Sequence, residues 1–310
     1  MKQKKHIMQS TFMVCFCALI CCALWGSAFP CIKIGYELFD IPSNAVATQI
    51  LFAGLRFTLA GILVIIIGSI LNREWLLPQQ ETIPKIFKLS LLQTVLQYLF
   101  FYVGLANTTG VKASIIEGVN VFIAILVASL IFRQEKLTGA KMLGCLVGFI
   151  GVVLVNINGN GLDMSLSFLG EGFIFLSTIA YAFSSVYLKR YSKTENPVLL
   201  SGWQFVVGGM IMMATGFFMG GRLTRITTMG VCMLLYLACI SAVAYSLWGI
   251  LLKYNPVSKV AVFGFMNPVF GVILSALLLG ETEQASGIKS IVALILVSIG
   301  IYITAKGEKE

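Results

Sequence analysis

The sequence predicts an all-α polytopic membrane protein, ten transmembrane helices arranged as two inverted five-helix repeats. Three observations carry that expectation: ten apolar stretches near bilayer length, a composition poor in charge, and an internal similarity between the halves. A spanning helix needs about 20 mostly apolar residues to cross a hydrocarbon core of roughly 30 Å. The stretches run over 11–34, 47–71, 89–105, 111–131, 138–155, 166–188, 198–219, 229–252, 257–279 and 287–305. What lies between them is too short for a soluble domain.

Hydrophobic residues make up 58% of the chain and charged ones 11%, with a mean hydropathy of +0.93, whereas a soluble domain carries about 25% charged residues. The formal charge of +9 does not point to nucleic acid, because the basic residues sit at span ends and in short loops rather than on one face of a soluble module. The expected surroundings are membrane lipids. With the N-terminus in the cytoplasm, the outward side holds only Lys33, Lys112, Arg222, Arg225 and Lys289, and Arg56 lies within a span. The positive-inside rule therefore puts both termini in the cytoplasm, in a multi-pass protein of the cell (plasma) membrane.

The start, with Lys2, Lys4 and Lys5 before an apolar run, has the charge pattern of a secretory leader. Its continuation through Trp25-Gly26-Ser27 and nine further spans favours a retained first helix. The eight cysteines fall inside spans, as free thiols packed like small hydrophobes. No CxxC and no His/Cys cluster is present, so neither a metal nor a cofactor is expected.

The second half repeats the first. Residues 25–33 (WGSAFPCIK) lie over 181–189 (YAFSSVYLK), 55–61 (LRFTLAG) over 203–209 (WQFVVGG), and the fourth span, ending at Glu135, over the ninth, ending at Glu281. The order is kept with similar offsets, which divides the chain into repeats 1–156 and 166–310 with a polar join at 156–167. Five is odd, so the second copy enters the membrane from the opposite side. Two such halves, related by a pseudo-two-fold axis in the membrane plane, can open one midplane site to alternate sides.

Trp25-Gly26-Ser27, Arg56-Phe57, Glu135, Asn267-Pro268 and Glu281, in that order over essentially the full chain, resemble the drug/metabolite transporter (DMT) superfamily, EamA type. The resemblance implies a ten-helix secondary carrier with a central cavity. One departure is Phe122, which stands where the second half has Pro268.

Ionisable groups at membrane depth are costly and mark functional sites by default. Glu117 lies well inside the fourth span, and helical spacing puts Ala113, Asn120, Ala124 and Ala128 on its face. One acid, one amide and small side chains suit a water-filled cavity. Gly264, Asn267, Gly271 and Ser275 form a similar strip on the ninth span, for which close helix packing is the competing explanation. Lys33 either pairs with Glu117 or snorkels to the headgroups. Arg56, nearer mid-membrane, either closes helix-end carbonyls or meets substrate. Gln93 and Gln97 share a face of the third span, Tyr181 and Ser185 one of the sixth, and Tyr245 and Trp248 lie one turn apart on the eighth. Trp25 and Trp248, both inside spans, are the best aromatic candidates.

The function expected is secondary active transport of a small-molecule substrate, an organic metabolite of amino-acid-like or amine-bearing chemistry, by alternating access. Protons are the candidate coupling ion. The alternatives are a channel or a drug-efflux carrier of broad hydrophobic substrates. An integral-membrane enzyme comes last, because HExxH, GxSxG, paired intramembrane aspartates and a phosphate loop are all absent from the sequence. Nothing in the sequence speaks to oligomeric state.

Overall fold

The computed structural model describes residues 7–108, 110–156, 167–279 and 287–307; Glu281 and the join at 157–166 lie outside the described residues. Helix α1 spans Thr11–Leu38, α2 Val46–Asn72, α3 Ile83–Ala106, α5 Gly139–Asn156, α6 Phe168–Tyr191, α7 Pro197–Phe218, α8 Thr228–Tyr254 and α10 Gly287–Lys306. Helix α4 is built of Gly110–Gly118, Asn120–Leu126 and Val127–Ile131, and α9 of Val257–Ala261, Val262–Phe265 and Met266–Leu279. No strand occurs among the described residues.

Each apolar stretch of the sequence falls on one of these helices. Seven are long and apolar enough to cross a membrane: α1, α2, α3, α6, α7, α8 and the Val257–Leu274 part of α9. Ile115–Ile131, Gly139–Leu154 and Ile291–Lys306 are shorter apolar helices. Local chemistry sets several ends. Ser10 caps α1 by accepting from Met13 N at 3.2 Å, Asn196 caps α7 through Val198 N at 2.9 Å with Pro197 in the first turn, and Thr227 caps α8 through Gly230 N at 3.0 Å.

Helix α2 lies antiparallel along α7. Glycines recur every seventh residue on both, Gly54, Gly61 and Gly68 on α2 and Gly202, Gly209 and Gly216 on α7. A Cβ on Gly54 would come within 2.8 Å of Gly209 O, and one on Gly61 within 2.6 Å of Gly202 O and Val206 N. Only glycine permits this approach, which in lipid substitutes van der Waals contact for the hydrophobic effect. Helix α5 meets α10 in the same manner, with Gly300 facing Gly144 O at 2.6 Å from where its Cβ would stand. Helix α1 packs on α8 and α9, while α6 packs on α3 and α4.

Polar contacts identify which ends lie together. Asn255, after α8, donates to Met8 O at 2.8 Å before α1, and Lys189 of α6 donates to Leu252 O at 3.3 Å. Helix α6 therefore ends where α1 begins. Glu135, after α4, accepts from the backbone and hydroxyl of Ser258 at the start of α9 and pairs with Lys141 of α5 at 2.9 Å. Lys85 at the start of α3 pairs with Glu195, between α6 and α7, at 2.5 Å. At the opposite end Arg222 N donates to Thr48 Oγ1 at 3.3 Å.

Both α4 and α9 are interrupted near their middles. In α9 the ring of Pro268 removes an N–H from the helical ladder, and the turn before it, Val262–Phe265, tightens to a 3-10 helix. In α4 no proline is present, yet the helix breaks between Gly118 and Asn120. Phe122, at the position matching Pro268, packs its ring edge-on against Phe265 in the α9 break, centroids 6.2 Å apart. Helix α3 carries a further irregularity, a wide π-helical turn over Ser90–Leu96.

Candidate functional site

The close crossing of α2 and α7 brings two consecutive side chains of α2 to the middle of the bundle. Phe57 stacks on Phe205 of α7, centroids 5.3 Å apart and planes within 20°. Phe205 in turn meets the edge of Tyr245 at 4.9 Å, and the Tyr245 hydroxyl shares a 2.7 Å hydrogen bond with that of Tyr98 on α3. Trp25 of α1 closes the cluster, lying edge-on to both Tyr245 and Trp248 at 5.0 Å. Three of the sequence-predicted residues, Trp25, Tyr245 and Trp248, are thus brought together.

Arg56 is 4% exposed. Its guanidinium lies over the Phe57 ring at 4.4 Å and near that of Tyr98 at 5.9 Å. Among the described residues no carboxylate pairs with it and its Nε has no hydrogen-bond partner. Among the described residues no hydrogen bond joins Arg56 to a helix-end carbonyl, and the other reading, that it meets substrate, is carried forward. Two aromatic faces supply about 0.5–2 kcal/mol each toward a desolvated cation, well short of what a buried guanidinium loses with its water.

Glu117 sits in the last turn of the first segment of α4, directly before the break, and accepts from Ser177 Oγ of α6 at 3.3 Å. Lys33 is exposed on α1. Lys112 belongs to a separate cluster at the start of α6, where Glu171 accepts from it at 3.4 Å and from Thr108 Oγ1 at 2.5 Å. Both Arg56 and Glu117 are within electrostatic reach of Tyr98, and Glu117 also of Tyr181.

Gln93 lies in the π-helical turn of α3, where its Oε1 accepts from Gln204 Nε2 of α7 at 2.5 Å; its own Nε2 is unpartnered. Gln97, one turn on, has an unpartnered Oε1. Asn267 is half-buried beside the α9 break with an unpartnered Oδ1, and Asn120 of α4 approaches α9 at Gly264, 3.9 Å from where that glycine's Cβ would be. Gly271 lies elsewhere. Its backbone N stands 3.0 Å from the Cβ position of Gly26, at the crossing of α1 and α9, so close helix packing accounts for the size of Gly26.

Sequence reasoning missed Tyr98, Gln204 and Ser177. Gln204 was within reach, because 203–209 overlays 55–61 and sets Gln204 on Arg56. Tyr98 and Ser177 had no such marker.

No cluster of His, Cys, Asp or Glu able to hold a metal exists among the described residues, and all eight cysteines are free. A bundle of long apolar helices enclosing polar and charged groups at its centre defines a multi-pass membrane transport protein with a small-molecule substrate. Comparison with known proteins gives the particular family: the chain belongs to the EamA-like transporter family, whose model matches residues 12–157 and again 168–306. An uncharacterized transporter of Archaeoglobus fulgidus is 25% identical over 291 residues, covering 91% of this chain and 95% of that protein. The uncharacterized inner membrane transporter YedA of Escherichia coli K12 is 25% identical over 90% of this chain and 89% of its own length. A probable amino-acid metabolite efflux pump of Salmonella typhimurium is 26% identical over 94% of each chain. A solved crystal structure superposes with a TM-score of 0.77 at 16% identity, covering 97% of this chain and 99% of the other. That likeness speaks for the fold alone.

Proposed function

We propose that the protein is a ten-span secondary carrier, two inverted five-helix repeats that alternate access to a central site for an amino-acid-like solute, with Glu117 as the proton-coupling group. The single observation that carries the substrate class is the buried guanidinium of Arg56, unpaired by any described carboxylate, with the Glu117 carboxyl also within electrostatic reach of the Tyr98 that Arg56 lies against. A zwitterion with a carboxylate and an ammonium complements both. Charge-assisted hydrogen bonds to the ligand then replace the hydration that burial removed.

The inverted repeat draws support from three sides. The family model matches twice. Helix pairs exchange under repeat swapping: α2 with α7 and α5 with α10 are their own mates, and α1 on α8 and α9 mirrors α6 on α3 and α4. Interruptions fall at matching points of α4 and α9, and discontinuous helices at mid-depth are how carriers expose polar backbone to a substrate. Lys85, Lys141, Lys189 and Lys259 gather at the end where α1 begins, which favours a cytoplasmic N-terminus. The Salmonella relative's name is consistent with an amino-acid-like solute.

Reconstitution in liposomes tests this reading. Counterflow of a labelled α-amino acid is expected to be saturable and to be competed by zwitterions more strongly than by the matching amine or acid alone. Glu117→Gln keeps the shape and removes the titratable proton, so pH-driven net uptake is lost while exchange persists in part. Unchanged pH-driven uptake by Glu117→Gln overturns proton coupling through this residue. Competition by hydrophobic cations and not by zwitterions returns the drug-efflux alternative.

A further inference from the structure

A second concavity lies away from the polar centre, between α1, α9 and α10. Its volume is about 430 Å³. Phe263, Met266 and Val269 form a buried floor, while Leu19 and Leu294, 37% and 39% exposed, stand open at its rim. The rim hydroxyl of Ser298 is already committed to Leu294 O at 2.7 Å. Apart from the Cys15 thiol, a weak hydrogen-bonding group, the side chains lining the groove offer nothing uncommitted to a polar solute. At the end where α1 begins, Lys259 lies one turn below Phe263 and within electrostatic reach of Cys15, which also lines the groove. Its ammonium is half-buried and donates to two neutral oxygens, Gln9 O at 3.3 Å and Asn255 Oδ1 at 3.2 Å; no carboxylate among the described residues pairs with it.

We propose that this groove is a binding site for one anionic phospholipid, an acyl chain lying along Phe263, Met266 and Val269 and the phosphate resting at Lys259. An apolar furrow open to the hydrocarbon fixes the chain, and the cation at its mouth selects the headgroup charge, as basic pockets between membrane helices do. The site does not depend on the proposed solute. The α1 and α9 helices that form it cross again at Gly26 and Gly271, so an occupied groove also braces the interrupted helix.

Native mass spectrometry and thermal unfolding of the detergent-purified full chain, titrated with phosphatidylglycerol or phosphatidylcholine of equal chain length, test the proposal. One saturable phosphatidylglycerol per chain is expected, with a rise in Tm that phosphatidylcholine matches only at higher concentration. Lys259→Gln is expected to lose about fivefold in phosphatidylglycerol affinity, the share one lysine contributes at an anionic surface, and Lys259→Arg to keep it. Leu294→Trp at the rim is expected to abolish the saturable binding of both lipids while the protein stays folded. Stabilisation that never saturates, a headgroup preference unchanged in Lys259→Gln, or undiminished binding in Leu294→Trp each overturns it.

Discussion

Arg56 and Gln204 occupy matching places in the two halves, each followed by a phenylalanine, and the two phenylalanines stack on one another. Their polar neighbours differ. Gln204 is fully buried and donates to Gln93, with its own Oε1 left unpartnered, whereas Arg56 is buried and unanswered by any described carboxylate or hydrogen-bond acceptor. A neutral amide tolerates this environment once one hydrogen bond is made, because its desolvation cost is a few kcal/mol at most. A guanidinium does not, and its cost is left for something outside the chain to offset. In the proposed five-plus-five arrangement the frame is near-symmetric, and this one difference at its centre gives it a chemical direction.

Placing the charge on the other half breaks that comparison most severely. Gln204→Arg removes the bond to Gln93 and adds a second buried cation, for which the expected loss of folding stability is about 3–5 kcal/mol, read as a fall in Tm and in the yield of monodisperse protein. Wild-type stability in that variant would mean that the two halves are equally permissive. A smaller effect is expected at the helix crossing that holds both residues. Gly61→Ala puts a Cβ 2.6 Å from Gly202 O and Val206 N, an overpacking cost of about 1–3 kcal/mol, while Gly139→Ala, with nothing within 4 Å of the new Cβ, leaves the stability within about 1 kcal/mol of the parent. Smallest is Tyr98→Phe. It removes the 2.7 Å bond to Tyr245 and is expected to cost about 1 kcal/mol in stability, sharpening the comparison by showing how little of the centre's cohesion rests on the phenols themselves.

Hydropathy made the helices legible because a bilayer imposes length and apolarity on any element within it. The seven-residue glycine rows also stand in the sequence, but only the packed helices showed that they meet. The arrangement of the centre was less legible. Glu117 and Arg56 stood out as charges at depth, but the partner of Glu117 turned out to be Ser177, a common residue in a helix with no distinguishing pattern. Lys33 stood out by its charge and Gly271 by its spacing; the fold sets Lys33 exposed on α1 and the backbone of Gly271 at the crossing with Gly26. The break in α4 had no proline to announce it. Helix faces can be read from periodicity, whereas which two faces meet depends on tertiary packing.

Binding of an α-amino acid to the purified protein, compared between the parent chain and Arg56→Gln by calorimetry, tests the central claim most directly. Arg56→Gln makes the first half match the second, is expected to hold or raise Tm because a buried cation is gone, and is expected to weaken binding about tenfold to a hundredfold, the range set by a charged hydrogen bond of about 1.5–3 kcal/mol. A folded Arg56→Gln protein that binds and exchanges amino acids as the parent does would contradict the assignment of Arg56 to the substrate.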